Sequence, residues 1–110
     1  MKIFYDAEGD ILEVHFIMGK PDQRTGISLT DQITIFCDFS FQKTLGFMAL
    51  AYSKLLVLPE LPLEELSRAP KETQYKIKQL ISQAPLNRFL YLNDDSVGIK
   101  DVHISELVAQ

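Results

Sequence analysis

Apolar and polar side chains alternate along the first fifty residues, and this alternation predicts β-strands. In the second apolar run, Leu12, Val14 and Phe16 fall on one face of an extended chain. Glu13 and His15 fall on the other, because successive strand side chains point to opposite sides. We expect the first face to pack in the core and the second to be partly solvated.

The runs around this strand predict an antiparallel sheet. Residues 3–5 precede it across a short, acidic, glycine-containing turn at 6–10, which is typical of a β-hairpin. Further strands are predicted at 24–29, as an edge strand, and at 33–39. The run at 45–52 is apolar on both faces, which favours a central strand that is covered on each side.

A helix is the main element predicted for the second half. Pro70 is suited to a helix start, and Pro85 cannot continue one, so we expect the helix to run to about Ala84. Its apolar side chains recur at helical spacing and form one stripe. They are Ile77, Leu80, Ile81 and Ala84.

Prolines and a second pair of strands flank this helix. Pro59 and Pro62 exclude a central strand or a continuous helix between residues 55 and 66. Two apolar runs, at 88–92 and 97–102, flank a polar turn and predict a C-terminal hairpin. A last short helix is expected near the end of the chain, over residues 106–109.

The predicted fold class is therefore α+β. It comprises an antiparallel meander of four or five strands, covered by one main helix, with a C-terminal β-hairpin. We predict a single domain over residues 1–110, since domains commonly contain about 100–150 residues. Residues 1–56 form the meander, and residues 57–110 form the proline-rich connector, the helix and the hairpin.

Composition and charge narrow the choice of partners. Hydrophobic residues make up 46% of the chain and the formal net charge is −4, so we expect a globular protein that does not bind nucleic acid. The longest apolar-rich run, at 47–58, is shorter than the ~20 residues that span a membrane. The single cysteine and the absence of a signal-peptide pattern predict a cytoplasmic protein with no membrane partner.

A carboxylate and an imidazole form the first candidate site. Glu13 and His15 share a strand face, and a carboxylate can orient a neighbouring imidazole for acid–base chemistry. Tyr5 joins that face only in one hairpin register, and His103 joins only if the two chain ends meet. The competing interpretation, which we favour, is a structural pair on a half-solvated sheet.

Two further candidates are a calcium loop and a thiol. Asp6, Glu8 and Asp10 alternate as calcium ligands do, but the order of acids and glycine differs from that of a calcium loop, and Ile17 stands at the twelfth position. We therefore predict a solvated turn, with no metal and no cofactor. Cys37 alternates with apolar residues and is expected to be a small buried hydrophobe.

The connector between the two halves is rich in leucine. Either these leucines pack across the sheet, which we favour, or they form an apolar patch that another chain covers. The six interface candidates are Leu55, Leu56, Leu58, Leu61, Leu63 and Leu66.

Residues 1–56 resemble the YuzE-like domain of unknown function, a family of small uncharacterised bacterial proteins. The family begins Met-Lys-Ile-x-Tyr-Asp, as residues 1–6 do, and continues with an acidic turn and a strand. Residues 33–38 and 45–54 are similar to its later strand-turn-strand and its Ala-Ser-Lys-like segment. The resemblance implies a fold but no activity, because none is established for the family.

Two departures from the family pattern concern carboxylates. Phe47 and Met48 follow Gly46 where the family has a glutamate, and residues 39–42 replace its acidic turn. The resemblance therefore does not imply an anionic site here. Residues 57–110 lie outside the family pattern and either cover the sheet or serve as a partner-binding extension.

These observations predict a non-enzymatic interaction or regulatory module that self-associates as a homodimer or binds another protein. The basis is the lack of an assembled catalytic set, together with the leucine-rich connector and strand edges open to pairing. The alternative is a small enzyme or small-molecule binder that uses Glu13 and His15, with Tyr5 or His103 as a third group.

Overall fold

The computed structural model describes residues 1–16 and 24–100, and it confirms the predicted α+β fold class. The first half forms a five-stranded antiparallel sheet. Its strands are β1 (Lys2–Asp6), β2 (Ile11–His15), β3 (Thr25–Ser28), β4 (Ile33–Cys37) and β5 (Thr44–Leu50).

The second half supplies the main helix and a smaller sheet. Its elements are α1 (Tyr52–Leu55), β6 (Leu61–Pro62), α2 (Lys71–Ile81), β7 (Leu90–Asn93) and β8 (Ser96–Ile99), with 3₁₀ turns at Leu66–Arg68 and Leu86–Arg88. Strands β7 and β8 form the predicted C-terminal hairpin, and β6 pairs with β8. Pro62 is tolerated in β6 because this is an edge strand. The helix expected at 106–109 lies outside the described residues.

The order of the five strands, β1-β2-β5-β4-β3, differs from that of a simple meander. Strand β5 lies between β2 and β4, so β3 occupies the far edge. This order agrees with the apolar character of β5 on both faces, since a last strand of a simple meander would be an edge. The central position of β5 and the edge position of β3 were both predicted, but the expectation that β5 is covered on each face is wrong, because its Leu50 side chain is exposed on the outer face.

Two predicted boundaries are corrected by local backbone geometry. The strand expected to reach Tyr52 ends at Leu50, because Ala51 has a left-handed φ of 54° and precedes α1. The helix expected to reach Ala84 ends at Ile81. There the Gln83 N–H donates to the Leu80 carbonyl oxygen, three residues back, so the α-helical bonding pattern stops.

One hydrophobic core joins the two halves. The inner face of the large sheet carries Leu12, Val14, Ile35 and Phe47, all fully buried. The apolar stripe of α2 belongs to the same core through its buried Ile77, Leu80 and Ile81. The aromatic ring of Phe89, just before β7, lies 5.4 Å from the ring of Phe47. Residues of the second half therefore cover the inner face.

Within residues 1–16 and 24–100, no helix has the length and apolar character needed to cross a membrane.

Candidate interaction surface

The large sheet has a second, outer face, whose side chains are defined by the strand register. Phe4 pairs with Glu13, Glu13 with Met48, and Met48 with Thr34, so these four side chains form one row across four strands. The neighbouring row runs from Lys2 through His15, Gly46 and Phe36 to Gly26.

This outer face is partly apolar and partly exposed. The side chain of Phe4 is 53% exposed and that of Leu50 is 37% exposed. Met48, Phe36 and Ile11 are half-buried. In contrast, the inner face of the same sheet is packed against α2 and the second sheet. Among the described residues of this sheet, Phe4 and Leu50 are the exposed large apolar side chains of the outer face, and Tyr5 is exposed on the inner face of the edge strand.

Glu13 and His15 lie together on the outer face, as the alternation predicted. The His15 Nε2 atom is 3.4 Å from the Glu13 Oε2 atom, and both side chains are partly exposed. The ring of Phe4 meets the imidazole of His15 edge-on at 5.8 Å. The pair is thus a carboxylate and an imidazole beside an aromatic ring, which can contact a polar partner or orient one proton.

Of the two proposed third groups, the structure places only Tyr5, and it does not join this pair. The β1–β2 register places Tyr5 opposite Leu12, on the other face of the sheet, so the register that would have added Tyr5 does not occur. His103 lies outside the described residues. In the described part of the chain, no group of three or more His, Cys, Asp and Glu side chains is arranged to hold a metal.

A cation–π contact and a glycine without room for a side chain also lie on the outer face. The Arg24 guanidinium lies 4.4 Å from the centre of the Phe36 ring, which is a cation–π contact. Between His15 and Phe36, position 46 is a glycine. A Cβ atom there would stand 2.3 Å from the backbone oxygen of Val14, so this position cannot carry a side chain without a shift of the backbone.

The three calcium candidates do not converge. The Asp10 carboxylate accepts hydrogen bonds from the Tyr5 hydroxyl at 2.7 Å and the Ser53 hydroxyl at 2.6 Å. It also accepts the Ser53 backbone N–H at 3.0 Å. Asp6 accepts the backbone N–H of Glu8 instead. Asp6 and Asp10 therefore stabilise the hairpin turn, and Asp10 also connects it to α1.

These hydrogen bonds shift two pKa values in opposite directions. Donation from the side chain of Ser53, then from Tyr5 and the Ser53 backbone, lowers the pKa of Asp10 because each bond stabilises the carboxylate. The bond to Asp10, with a smaller effect of burial, raises the pKa of Tyr5. The cluster is therefore an anionic carboxylate held by neutral hydroxyls, and it supplies no free base.

Cys37 and half of the interface leucines are buried. Cys37 is fully buried, as predicted, and desolvation raises the pKa of its thiol to about 11, which is unsuitable for a nucleophile at neutral pH. Leu55, Leu63 and Leu66 are buried in the core and are not available to a partner of the folded chain.

The remaining connector leucines are less buried. Leu56 and Leu61 are half-buried and pack against the core, while Leu58 is 52% exposed. Next to Leu58, Val57 is 83% exposed. The connector thus packs mainly within the fold, which is the interpretation the sequence favoured, and it exposes one short apolar tip.

A cavity of about 300 Å³ lies beside the connector. Its rim includes Lys78 and Asp95, whose charged atoms are 3.7 Å apart. The Gln74 amide nitrogen at the same cavity donates to the carbonyl oxygens of Ser67 and Ala69. The Lys78–Asp95 pair thus connects α2 to the β7–β8 turn, and Gln74 connects α2 to the 3₁₀ turn before it, which leaves few of these polar atoms for a ligand.

The aromatic members of the outer face were missed by the sequence analysis. In β1, the neighbours Ile3, Phe4 and Tyr5 are all apolar or aromatic, so alternation alone does not say which of them points outward. The pairing of Phe4 with Glu13 decides this. The short turn at 6–10 is the feature of the sequence that could have indicated this pairing, because loop length restricts hairpin register.

Together, the fold and this surface define a small α+β protein whose main sheet is packed on one face. Comparison with known proteins adds no relative: no family model matches the chain, and no curated protein and no solved structure matches it.

Proposed function

We propose that this protein is a non-enzymatic interaction or regulatory module of the cytoplasm that self-associates as a homodimer. The observation that supports self-association best is the difference between the two faces of the main sheet. The inner face is largely buried, whereas the outer face exposes Phe4 and also carries the half-buried Met48, with Glu13 between them. Apolar side chains grouped on an open sheet are typical of surfaces that bind protein.

The chemistry of the described side chains also supports a binding role. The Glu13–His15 pair has no catalytic third group from Tyr5, which lies on the opposite face. The Cys37 thiol is buried, and the Asp10 carboxylate is occupied by its own donors. A cytoplasmic location is part of the proposal because a single cysteine offers no intrachain disulfide.

The oligomeric state tests this function directly. Sedimentation velocity of the full chain, from low to high micromolar concentration, should show a species of twice the chain mass of 12.6 kDa that increases with concentration. Far-UV circular dichroism of the same samples serves as a check that the chain is folded. A folded monomer at every concentration would contradict self-association.

The alternative is a small-molecule binder or enzyme that uses Glu13 and His15, and the 3.4 Å contact between them is the observation in its favour. A ligand screen by thermal shift separates the two functions, because a ligand of the folded state raises the melting temperature. A compound that stabilises the wild type but not His15→Gln would support this alternative and contradict a purely protein-binding role.

A further inference from the structure

Strand β1 is an edge strand of the main sheet. Among the described residues, no strand pairs with its edge that points away from β2. It pairs with β2 on one side, and the strand order ends with it. Four of its five residues are exposed, Ile3 being the buried one. An unpaired edge of this kind offers a row of backbone N–H and C=O groups to another strand.

The backbone N–H and C=O groups of Ile3 and Tyr5 point away from β2, toward the open edge of the sheet. The Phe16 N–H donates to the Leu45 carbonyl oxygen, so the even-numbered residues of β2 bond toward β5. Successive residues of an antiparallel strand direct their backbone hydrogen bonds to opposite sides. The odd-numbered residues Ile11, Glu13 and His15 therefore bond toward β1. Their partners Lys2, Phe4 and Asp6 therefore bond toward β2. Ile3 and Tyr5 direct their backbone groups away from β2, where a further strand can pair.

The sequence of β1 is complementary to itself when it is reversed. Lys2 and Asp6 stand at its two ends, and Phe4 stands in the middle. If two copies pair antiparallel about Phe4, Lys2 of each copy lies opposite Asp6 of the other. Ile3 lies opposite Tyr5, which matches the two residues whose backbone groups face outward. Phe4 then faces Phe4 of the second copy.

We propose that the protein dimerises by antiparallel pairing of β1 with β1 of a second copy, centred on Phe4. This inference rests on the proposed self-association and identifies its surface. The pairing forms four backbone hydrogen bonds, between Ile3 of each copy and Tyr5 of the other. It joins the two sheets into one of ten strands and brings the outer faces side by side.

The side chains make this pairing specific. In non-hydrogen-bonded pairs the two Cα atoms are only about 4.5 Å apart, so the Phe4 rings cover each other and the opposite charges are close. Opposite charges and aromatic pairs at such positions stabilise a sheet. A lysine on an edge strand usually prevents pairing with other chains. Here it discriminates against strands that lack an acid at the matching position.

The opposite edge of the sheet is less suited to this role. Strand β3 has four described residues, Thr25–Ser28, and carries no charged side chain. Reversed self-pairing of β3 places Gly26 opposite Ile27, which leaves one position without a side chain to pack. Self-pairing of β3 therefore lacks both the charge complementarity and the aromatic centre that β1 provides.

Charge reversal with rescue tests the register. Lys2→Glu places two pairs of carboxylates opposite each other, and Asp6→Lys places two pairs of lysines opposite each other. Each should raise the dimer dissociation constant roughly tenfold, since two cross-strand pairs change from attraction to repulsion. The double variant Lys2→Glu/Asp6→Lys restores opposite charges in the dimer and should return the dissociation constant to near the wild-type value.

A disulfide across the dimer axis tests the geometry independently. The expected separation of the two Phe4 Cα atoms lies within the ~4.4–6.8 Å range that a disulfide bridges. Under mild oxidation with oxidised glutathione, Phe4→Cys should therefore form a covalent dimer on a non-reducing gel. The matched control is Tyr75→Cys, which replaces another exposed aromatic, on α2, and should stay monomeric on the same gel.

The outcomes separate the two levels of the proposal. A wild type that is monomeric at all concentrations contradicts both the self-association and this surface. If the wild type dimerises but neither single charge reversal changes its dissociation constant, the β1 pairing is wrong and the proposed self-association is retained. The same holds if Phe4→Cys is not cross-linked. Weakening by both single reversals without rescue by the double variant overturns the register.

Discussion

Asp10 illustrates at the residue scale how one side chain connects distant parts of the chain. Its left-handed φ of 54° closes the β1–β2 hairpin, a conformation that aspartate tolerates better than most residues. Helix α1 has no side-chain cap from its own Ala51. Instead, Asp10 accepts the Tyr52 N–H at its carbonyl oxygen and the Ser53 N–H at its carboxylate. These are helix-terminal donors that otherwise lack partners.

Replacing this carboxylate should reduce stability in a pH-dependent way. The pKa of Asp10 is lower in the folded chain than its ordinary value of about 3.9. Its contribution to stability is therefore complete above that value and is lost as the pH falls through the folded pKa. We expect Asp10→Asn to lower the melting temperature at pH 7 and to narrow its difference from the wild type at pH 3, as measured by circular dichroism.

The control for this prediction is Asp31→Asn, at an exposed carboxylate in a different turn. It should leave the melting temperature near that of the wild type at both pH values. An Asp10→Asn variant as stable as the wild type at pH 7 would show that the hydrogen bonds of Asp10 contribute nothing measurable.

At the scale of elements, β5 determines how the sheet is assembled. It pairs with β2 on one side and with β4 on the other, so it connects the N-terminal hairpin to the β3–β4 pair. Gly46 lies at the point where β5 and β2 approach each other closely. The space for a Cβ atom at this position is taken by the backbone oxygen of Val14.

A side chain at position 46 should therefore disturb the sheet. We expect Gly46→Ala to lower the free energy of unfolding by about 1–3 kcal/mol, because the backbone must move to relieve the overlap. Gly26→Ala is the matched control in β3. There a Cβ atom would meet the Phe36 ring at 3.4 Å, which is close to an ordinary contact, so the change should be small.

Urea denaturation of the two variants measures both free energies. The explanation given for Gly46 would be wrong if Gly46→Ala were as stable as the wild type, or if Gly26→Ala were the more damaging of the two.

At the scale of the whole molecule, three aromatic rings connect the two halves. Phe16 and Phe47 belong to the first half, and Phe89 belongs to the second. The Phe89 ring centre lies 5.8 Å from that of Phe16 and 5.4 Å from that of Phe47. Because Phe89 is 2% exposed, its ring fills space between the main sheet and the smaller one.

Truncation of this ring should destabilise the whole chain. Phe89→Ala should lower the free energy of unfolding by about 3–5 kcal/mol, the usual cost of emptying a buried aromatic site. Tyr75→Ala, at a tyrosine that is 66% exposed, should change it by less than about 0.5 kcal/mol. Chemical denaturation with far-UV and near-UV detection measures both, and a Phe89→Ala cost as small as that of Tyr75→Ala would contradict the bridging role.

Residues 1–56 should not fold alone. A fragment of residues 1–56 lacks α2 and Phe89, so the inner sheet face with its buried Ile35 and Phe47 would be exposed to water. We expect the fragment to show poorly dispersed amide resonances, in contrast to the full chain. Well-dispersed resonances from the fragment would mean that residues 57–110 are an appendage and that the single-domain prediction is wrong.

The candidate surface was only partly accessible from the sequence. Alternation placed Glu13 and His15 on the partly solvated face, because that assignment depends on neighbours along one strand. The row from Phe4 to Met48 could not be derived, since it depends on which residues of different strands stand opposite each other. The contact between Asp10 and Ser53 joins residues 43 positions apart, and no local pattern indicates it.

The fold class, the strands of the main sheet, the C-terminal hairpin, the main helix and the burial of Cys37 could all be predicted from the sequence, because local alternation and helical spacing encode which faces are apolar. The strand β6 and the helix α1 were not predicted. The three-dimensional fold was needed to establish that β5 lies between β2 and β4, that Tyr5 and Glu13 lie on opposite faces, and that Leu63 and Leu66 are buried. These features depend on strand order and register, which are selected by packing across the whole molecule rather than by any one segment.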